Sequence, residues 1–178
     1  MSAFNRPDPT EYAEFYGTYV DQVPDGAILD RLAAQRESTA RLLATVDEDR
    51  AAYRYAEGKW SIKEIVGHLA DAERVFAYRA LAAARGDRTP LPGFDENEYV
   101  TRAGFDRHPL AELAADLDQT RGATLSLYRT FSPEEAGRRG IANGTEISVR
   151  ALAWIVAGHE RHHVRVLGER YGVEASAG

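Results

Sequence analysis

Glycine and proline are concentrated in the connections between four long stretches of the chain, and this distribution constrains the fold most strongly. The 178 residues include 15 glycines and 7 prolines, and most lie in clusters that break helices. Alanine, the strongest helix former, is abundant in the stretches between them. No segment alternates convincingly between apolar and polar residues, as a strand would. The sequence therefore predicts an all-α fold with essentially no sheet.

Four amphipathic segments supply the long helices. Apolar residues recur in them at helical spacing and mark one buried face. The second helix has the clearest beginning, because Ser61 can cap it and Glu64 can complete a capping box. The predicted helices run from about Ala27 to Val46, from Ile62 to about Ala84, from near Pro109 to near Phe131 and from about Val149 to Arg170.

Shorter elements complete the predicted architecture. Asp8 and Pro9 predict a short N-terminal helix, in which an aromatic stripe on one face indicates packing. That stripe consists of Tyr12, Phe15, Tyr16 and Tyr19. The connection from Arg85 to Arg107 is long enough to run back along a bundle, so the helices that it joins could be parallel. We expect one four-helix bundle domain over residues 1–178, with its core at about 10–172.

Composition excludes several classes of protein. The chain has 22 basic and 28 acidic residues and a net charge of −6, without a basic stripe, which argues against a nucleic-acid partner. No apolar run approaches the ~20 residues that span a bilayer, and the polar start is not typical of a signal peptide. Cysteine is absent, which fits a reducing cytoplasm. Any thiol chemistry must then use a thiol that the substrate carries.

Two histidines four residues apart are the most informative polar pair. His159 and His163 project from one face of the fourth helix, so both can reach one metal ion. They replace apolar residues on the inward stripe, where an imidazole pair without partners would be costly. The stripe consists of Val149, Leu152, Val156, His159, His163, Val166 and Arg170.

His68 is the third candidate ligand, because it lies at or near the inward face of the second helix. Three protein ligands leave positions open for water or substrate, as in catalytic metal sites. Neutral imidazoles suit Zn, Ni, Fe or Cu, and the expected chemistry is Lewis-acid activation of a water, alcohol or thiol. The spacing alone leaves a second interpretation open, in which these are satisfied core histidines.

Other polar residues near the histidines have two interpretations each. Asp71 follows His68 by three residues and could support a ligand imidazole or act as a base, or it could be a solvated carboxylate. His162 could be an alternative ligand, a supporting group or a surface residue. His108 is expected to be a capping or surface residue, and Glu73 is expected on the surface.

The segment from His159 to His163 also matches the His-Glu-x-x-His pattern of zinc peptidases. In that interpretation Glu160 is the general base and His68 is the third ligand. The match is short, and no further histidine of the metzincin type follows it. The alternative is that Glu160 turns away from the inward stripe and faces solvent.

Several segments resemble one known family, the DinB/YfiT-like superfamily, which is unrelated to the DNA polymerase that shares its name. The resemblance covers roughly Tyr12 to Tyr171 and is carried mainly by two signatures in the right order. These are Lys59 to Glu73 in the second helix and Gly158 to His163 in the last. Tyr78 to Leu81, Pro90 to Asp95 and Ala142 to Gly144 also fit the family's pattern.

The resemblance implies a bundle of up-down-down-up topology that is often a homodimer. It also implies a divalent metal, for which Zn, Ni, Fe and Mn are candidates, held by His68, His159 and His163. Family members with known activity are mostly transferases that activate a low-molecular-weight thiol such as bacillithiol, mycothiol or glutathione, and others are described as metal-dependent hydrolases.

We therefore expect a metal-dependent enzyme of the DinB-like family, foremost a thiol S-transferase. Its partners would be a small-molecule thiol, an electrophilic substrate and a second copy of the chain, with no nucleic acid or membrane. A metal-dependent hydrolase and a non-catalytic metal-binding stress-response bundle are the alternatives.

Overall fold

The computed structural model describes residues 3–174, and four long α-helices dominate this part of the chain. The α-helices are α1 (Gly17–Val20), α2 (Ile28–Leu43), α3 (Glu48–Ala51), α4 (Ile62–Ala84), α5 (Glu96–Ala103), α6 (Leu110–Tyr128), α7 (Pro133–Gly137) and α8 (Val149–Tyr171). Short 3₁₀ turns occupy Pro9–Glu11, Glu14–Tyr16 and Phe105–Arg107, and two strands, β1 (Arg139–Ala142) and β2 (Thr145–Ser148), precede α8. The four predicted long helices are confirmed as α2, α4, α6 and α8.

Local capping fixes where the two site-bearing helices begin. The Ser61 hydroxyl accepts a hydrogen bond from the Glu64 amide at 3.1 Å, and the Glu64 carboxylate accepts one from the Ser61 amide at 2.8 Å. This is the predicted capping box, and it starts α4 at Ile62. At α8, the Ser148 hydroxyl accepts from the Ala151 amide at 3.0 Å. Both caps therefore fix the residues at which the histidine-bearing helices begin.

Two hydrophobic clusters at opposite ends of the bundle reveal the helix directions. One cluster joins the beginnings of α2 and α8 to the ends of α4 and α6, through residues such as Ile28, Val149, Ala80 and Leu125. The other joins the ends of α2 and α8 to the beginnings of α4 and α6. Helices α2 and α8 are therefore parallel to each other and antiparallel to α4 and α6. This is the expected up-down-down-up four-helix bundle, and the connection between α4 and α6 runs back along it.

A short β-hairpin corrects the prediction of essentially no sheet. Strands β1 and β2 pair antiparallel, with Arg139 opposite Ser148 and Ala142 opposite Thr145. The two turn residues, Asn143 and Gly144, both have positive φ angles, of 50° and 75°, which matches the Asn-Gly turn that two-residue hairpins prefer. The strands have four residues each, too few for alternation to stand out in the sequence.

The N-terminal segment is less regular than the predicted short helix. Asp8 and Glu11 form the predicted capping box, but the backbone is extended at Tyr12 (φ −155°), and two 3₁₀ turns precede α1. An ion pair between Glu11 and Arg150 ties the segment to α8. This places the aromatic residues that follow beside the histidines of α8. No helix within residues 3–174 is long and apolar enough to cross a membrane.

Candidate metal centre

Three histidines from two antiparallel helices converge in the bundle. Their candidate ligand nitrogens, on His68 of α4 and on His159 and His163 of α8, all lie within 4.8 Å of one another. Nε2 of His68 and Nε2 of His159 lie 3.0 Å apart. His68 and His159 are 5% and 6% exposed, and His163 is partly buried. The structure thus brings together the three residues that the sequence suggested.

Burial keeps these imidazoles neutral. Desolvation lowers the pKa of His68 to about 4. Desolvation and the neighbouring histidines lower the pKa of His163 to about 3 and that of His159 well below its ordinary value. Neutral imidazoles have the free lone pairs that a metal ion requires. The two Nε2 atoms that lie 3.0 Å apart can share only one proton, so at least one of them has a lone pair that a metal ion can use. This donor set fits a divalent transition metal.

A glycine precedes two of the three histidines, and each allows another segment to approach the helix closely. A Cβ atom at Gly67 would lie closer than 3.0 Å to the ring of Phe105, and one at Gly158 would lie closer than 3.0 Å to the carbonyl oxygen of Tyr19. Real Cβ atoms essentially never show such contacts. The bare backbone before His68 and His159 therefore lets neighbouring segments close around the centre.

Aromatic rings enclose the histidines. The Trp60 ring centroid lies 4.7 Å from that of His68 and 6.3 Å from that of His163, and the Trp60 and His163 planes differ by only 20°. On the other side, Tyr19 and Phe76 meet His159 edge to face at 5.3 Å and 6.0 Å. These rings pack against the imidazoles and form part of the wall around the centre.

Two cavities border the centre from different sides. The larger has a volume of about 430 Å³ and the smaller of about 270 Å³, and both are lined by Trp60, His162 and His163. The larger also exposes Phe15, Tyr16, Tyr19, Phe94, Arg79 and Glu96. The N-terminal aromatic residues, interpreted from sequence as packing, are therefore mostly cavity walls. Their tertiary position could not be read from the stripe alone.

His162 lies beside the centre without belonging to the ligand cluster. Its ring centroid is 5.1 Å from that of His163 and 5.7 Å from that of Tyr19. It is partly buried and lines both cavities. His108, in contrast, is exposed, with Nδ1 3.9 Å from a carboxylate oxygen of Glu112.

The two predicted acid–base residues lie away from the cavities. Asp71 faces Arg74, with 3.4 Å between the carboxylate and the guanidinium. Glu160 is only 3% exposed, so the alternative interpretation, in which Glu160 faces solvent, is wrong. Its carboxylate accepts a hydrogen bond from the Thr39 hydroxyl at 2.5 Å and lies 2.7 Å from Nη2 of Arg121. Neither residue lines the two cavities, and their catalytic roles stay predictions.

A buried charge network lies behind His159. Arg121 donates to both carboxylate oxygens of Glu73 at 2.8 Å and pairs with Glu160. Burial alone would lower the pKa of Arg121, but the two carboxylates outweigh it and raise that pKa. The expectation that Glu73 is a surface residue is wrong, because α6 supplies a buried partner. Together with His159, these three residues border one small cavity.

An up-down-down-up helical bundle with a buried three-histidine centre defines a class of metal-binding helical proteins. The DinB superfamily model matches residues 31–167. The chain therefore belongs to the DinB superfamily, as the sequence resemblance indicated.

Curated and solved relatives agree with this assignment. A protein of Oceanobacillus iheyensis named "putative metal-dependent hydrolase" is 29% identical over 132 residues, which cover 71% of this chain and 75% of that protein. The structure of YfiT from Bacillus subtilis, described as a probable metal-dependent hydrolase with an unusual four-helix bundle topology, superposes with a TM-score of 0.68 at 16% identity, covering 98% of this chain and 100% of that one.

A mycothiol-dependent maleylpyruvate isomerase has the same fold over part of its length. Its structure superposes with a TM-score of 0.68 at 18% identity and covers 84% of this chain, but this chain spans only 62% of the isomerase. The histidine cluster and the name of the O. iheyensis relative support a divalent metal cofactor and a DinB-like metal-dependent enzyme.

Proposed function

We propose that this protein is a metal-dependent transferase that joins a low-molecular-weight thiol to an electrophilic substrate. The observation that carries the proposal is that two cavities, of about 430 and 270 Å³, reach the three-histidine centre, since His163 lines both and His68 and His159 line the larger. A reaction between two small molecules needs a space for each of them beside the activating centre. The isomerase of the same fold depends on mycothiol, which is consistent with a thiol as one of the two.

His68, His159 and His163 hold the metal. When bound, a divalent metal supplies Lewis-acid activation, which lowers the pKa of a thiol or a water. Three neutral imidazoles favour Zn, Ni or Fe over Mn, which prefers oxygen ligands. Since the chain has no cysteine, the reacting sulfur belongs to the substrate.

His162 is the proton acceptor that we assign to the centre. It lines both cavities, and burial, followed by the nearby Arg165, lowers its pKa. It is therefore neutral near pH 7 and can accept the proton of a thiol. The rings of Trp60, Tyr19 and Phe76 give the larger cavity an apolar wall beside the centre.

A metal-dependent hydrolase is the second candidate, and the names of the O. iheyensis protein and of YfiT favour it. In that reaction the same three histidines hold the metal, and a water takes the place of the thiol. The larger cavity would then hold the whole substrate. The two candidates differ in whether the rate depends on an added thiol.

The experiment compares zinc-, nickel- and iron-loaded protein with and without bacillithiol, mycothiol or glutathione, against a panel of electrophiles and esters. If the protein is a transferase, thiol should be consumed only when both the metal and His68 are present. The rate of thiol consumption should fall by about 10²-fold or more in His162→Ala. Product formation that is independent of thiol would support the hydrolase. No turnover by metal-loaded protein in either arm would contradict both.

A further inference from the structure

Arg79 lies in the larger cavity, on the same helix as His68. The two residues are 11 positions apart on α4, which is close to three full turns, so they share one face and lie about 16 Å apart along the helix axis. Ala72 and Phe76 lie between them on that face, and all four residues line the cavity. Helical side chains lean toward the helix N-terminus, which directs the long Arg79 side chain toward the histidine centre.

The guanidinium of Arg79 lines the larger cavity without a countercharge. Arg79 is only 4% exposed, and its Nη2 donates to the carbonyl oxygen of Pro92 at 2.8 Å. Its Cζ lies 5.9 Å and 5.8 Å from the ring centroids of Phe76 and Phe94. Within residues 3–174, no carboxylate lies within ion-pair distance of it. Four of its five N–H donors thus have no hydrogen-bond partner in this part of the protein.

The other deeply buried arginine shows how unusual this is. Arg121, 2% exposed, is paired with the carboxylates of both Glu73 and Glu160. A buried cation is costly unless it is paired. The Arg79 nitrogens that have no partner in this part of the protein reach the open cavity, so an anion that enters the cavity can supply the missing countercharge.

We propose that Arg79 binds a carboxylate of the ligand that occupies the larger cavity, and so selects acidic substrates. The planar guanidinium fork matches a carboxylate bidentately. The same wall carries the Glu96 carboxylate, which repels additional negative charge. The site therefore suits the single negative charge of a carboxylate better than the two charges of a phosphate. The reacting end of such a molecule then lies at the histidine centre. The placement of the reacting end at the histidine centre rests on the proposed function, whereas the anion site at Arg79 does not.

A second feature of the cavity supports a polar ligand at this end. The hairpin turn brings Asn143 into the cavity wall, directly against Gly93. A Cβ atom at Gly93 would lie closer than 3.0 Å to Oδ1 of Asn143. The missing side chain therefore admits an amide group, whose N–H donors can join Arg79 in binding the carboxylate.

The test measures binding to zinc-loaded protein by isothermal titration. The first probe is mercaptohexanoate, which has its thiol and carboxylate at opposite ends, and mercaptohexanol is its uncharged counterpart of the same length. Mercaptoacetate is too short to reach Arg79 from the histidines, and hexanoate has the carboxylate but no thiol. The proteins are wild type, Arg79→Gln, Arg79→Lys and a matched control, Arg138→Gln. Arg138 also donates to a backbone carbonyl, that of Ala84, but lines neither cavity. Thermal unfolding and zinc content verify that each variant is folded and loaded.

We expect wild type to bind mercaptohexanoate about 10-fold to 100-fold more tightly than mercaptohexanol, as for a charge-assisted hydrogen bond. Arg79→Gln should bring this ratio near one, Arg79→Lys should restore part of it, and Arg138→Gln should leave it unchanged. Mercaptoacetate binding should not depend on Arg79. A ratio near one in wild type, or a ratio that Arg79→Gln leaves unchanged, would overturn the proposal.

The hexanoate arm separates this inference from the proposed function. If no thiol binds the zinc-loaded protein, the thiol-transfer function fails. Hexanoate binding that is present in wild type and lost in Arg79→Gln would still establish the carboxylate site. Hexanoate binding that is absent, or equal in the two proteins, would overturn it.

Discussion

The carbonyl oxygen of Tyr19 lies directly against the backbone of Gly158, at a distance that leaves no room for a Cβ atom. The next residue along α8 is His159, and the Tyr19 ring meets its imidazole edge to face. This contact therefore joins the N-terminal segment to the histidine-bearing helix α8 and positions a wall of the larger cavity. Beside His68, Gly67 leaves room for the ring of Phe105.

Replacing Gly158 with alanine should destabilise the protein and open the cavity. The new methyl group collides with a backbone atom, which cannot rotate away, so we expect a loss of about 1–3 kcal/mol in the free energy of unfolding. Urea unfolding measures this loss. Gly168→Ala is the matched control on the same helix, because its nearest outside atom, the Val173 carbonyl oxygen, is at 3.7 Å. Equal stability of the two variants would contradict the close-contact account.

The buried network should make Arg121 the most sensitive charged residue of the core. Arg121→Met leaves two buried carboxylates, Glu73 and Glu160, without their cation, and we expect a loss of about 3–5 kcal/mol in the free energy of unfolding. The matched control is Arg36→Met, which removes a more exposed pair with Asp118 and should cost at most about 1 kcal/mol. Comparable losses in the two variants would show that the network does not carry the predicted energy.

Metal-free protein should lose stability as the pH falls from about 6.5 to about 4. Folding lowers the pKa of His68 to about 4 and of His163 to about 3 from an ordinary 6.5. In this window the unfolded chain binds more protons than the folded one, so the free energy of unfolding decreases as the pH decreases. Urea unfolding of chelator-treated protein at several pH values measures the slope.

A His68→Phe variant provides the comparison for this pH series, because it removes one of the depressed pKa values and should show a shallower slope. Equal stability of the wild type near pH 7 and near pH 5 would contradict the assigned neutral state of the cluster.

Much of the fold could be predicted because its determinants are local. The Ser61 and Glu64 capping box fixes the start of α4, and helical periodicity identifies the four long helices. The spacing of His159 and His163 similarly indicates a shared face without reference to the rest of the chain. These signals depend on residues within one or two turns of each other.

The remainder depends on contacts between distant segments. The sequence predicts Glu73 on the surface because its partner Arg121 lies on another helix, 48 positions away. The Asn143-Gly144 dipeptide was a usable hairpin signal, but its strands were too short to confirm it. The N-terminal segment must be placed before Tyr16 and Tyr19 can be recognised as cavity walls. The connection after α4 must likewise be placed before it is clear that Arg79 has no carboxylate partner in the described part of the chain.

Metal content tests the central claim most directly. Elemental mass spectrometry on untagged protein should find about one divalent metal ion per chain, lost in His68→Ala and in the His159→Ala/His163→Ala double variant. His108→Ala, an exposed histidine outside the cluster, should retain it. Wild-type protein without metal after reconstitution, or variants that bind as much metal as wild type, would contradict the three-histidine centre and both proposed activities.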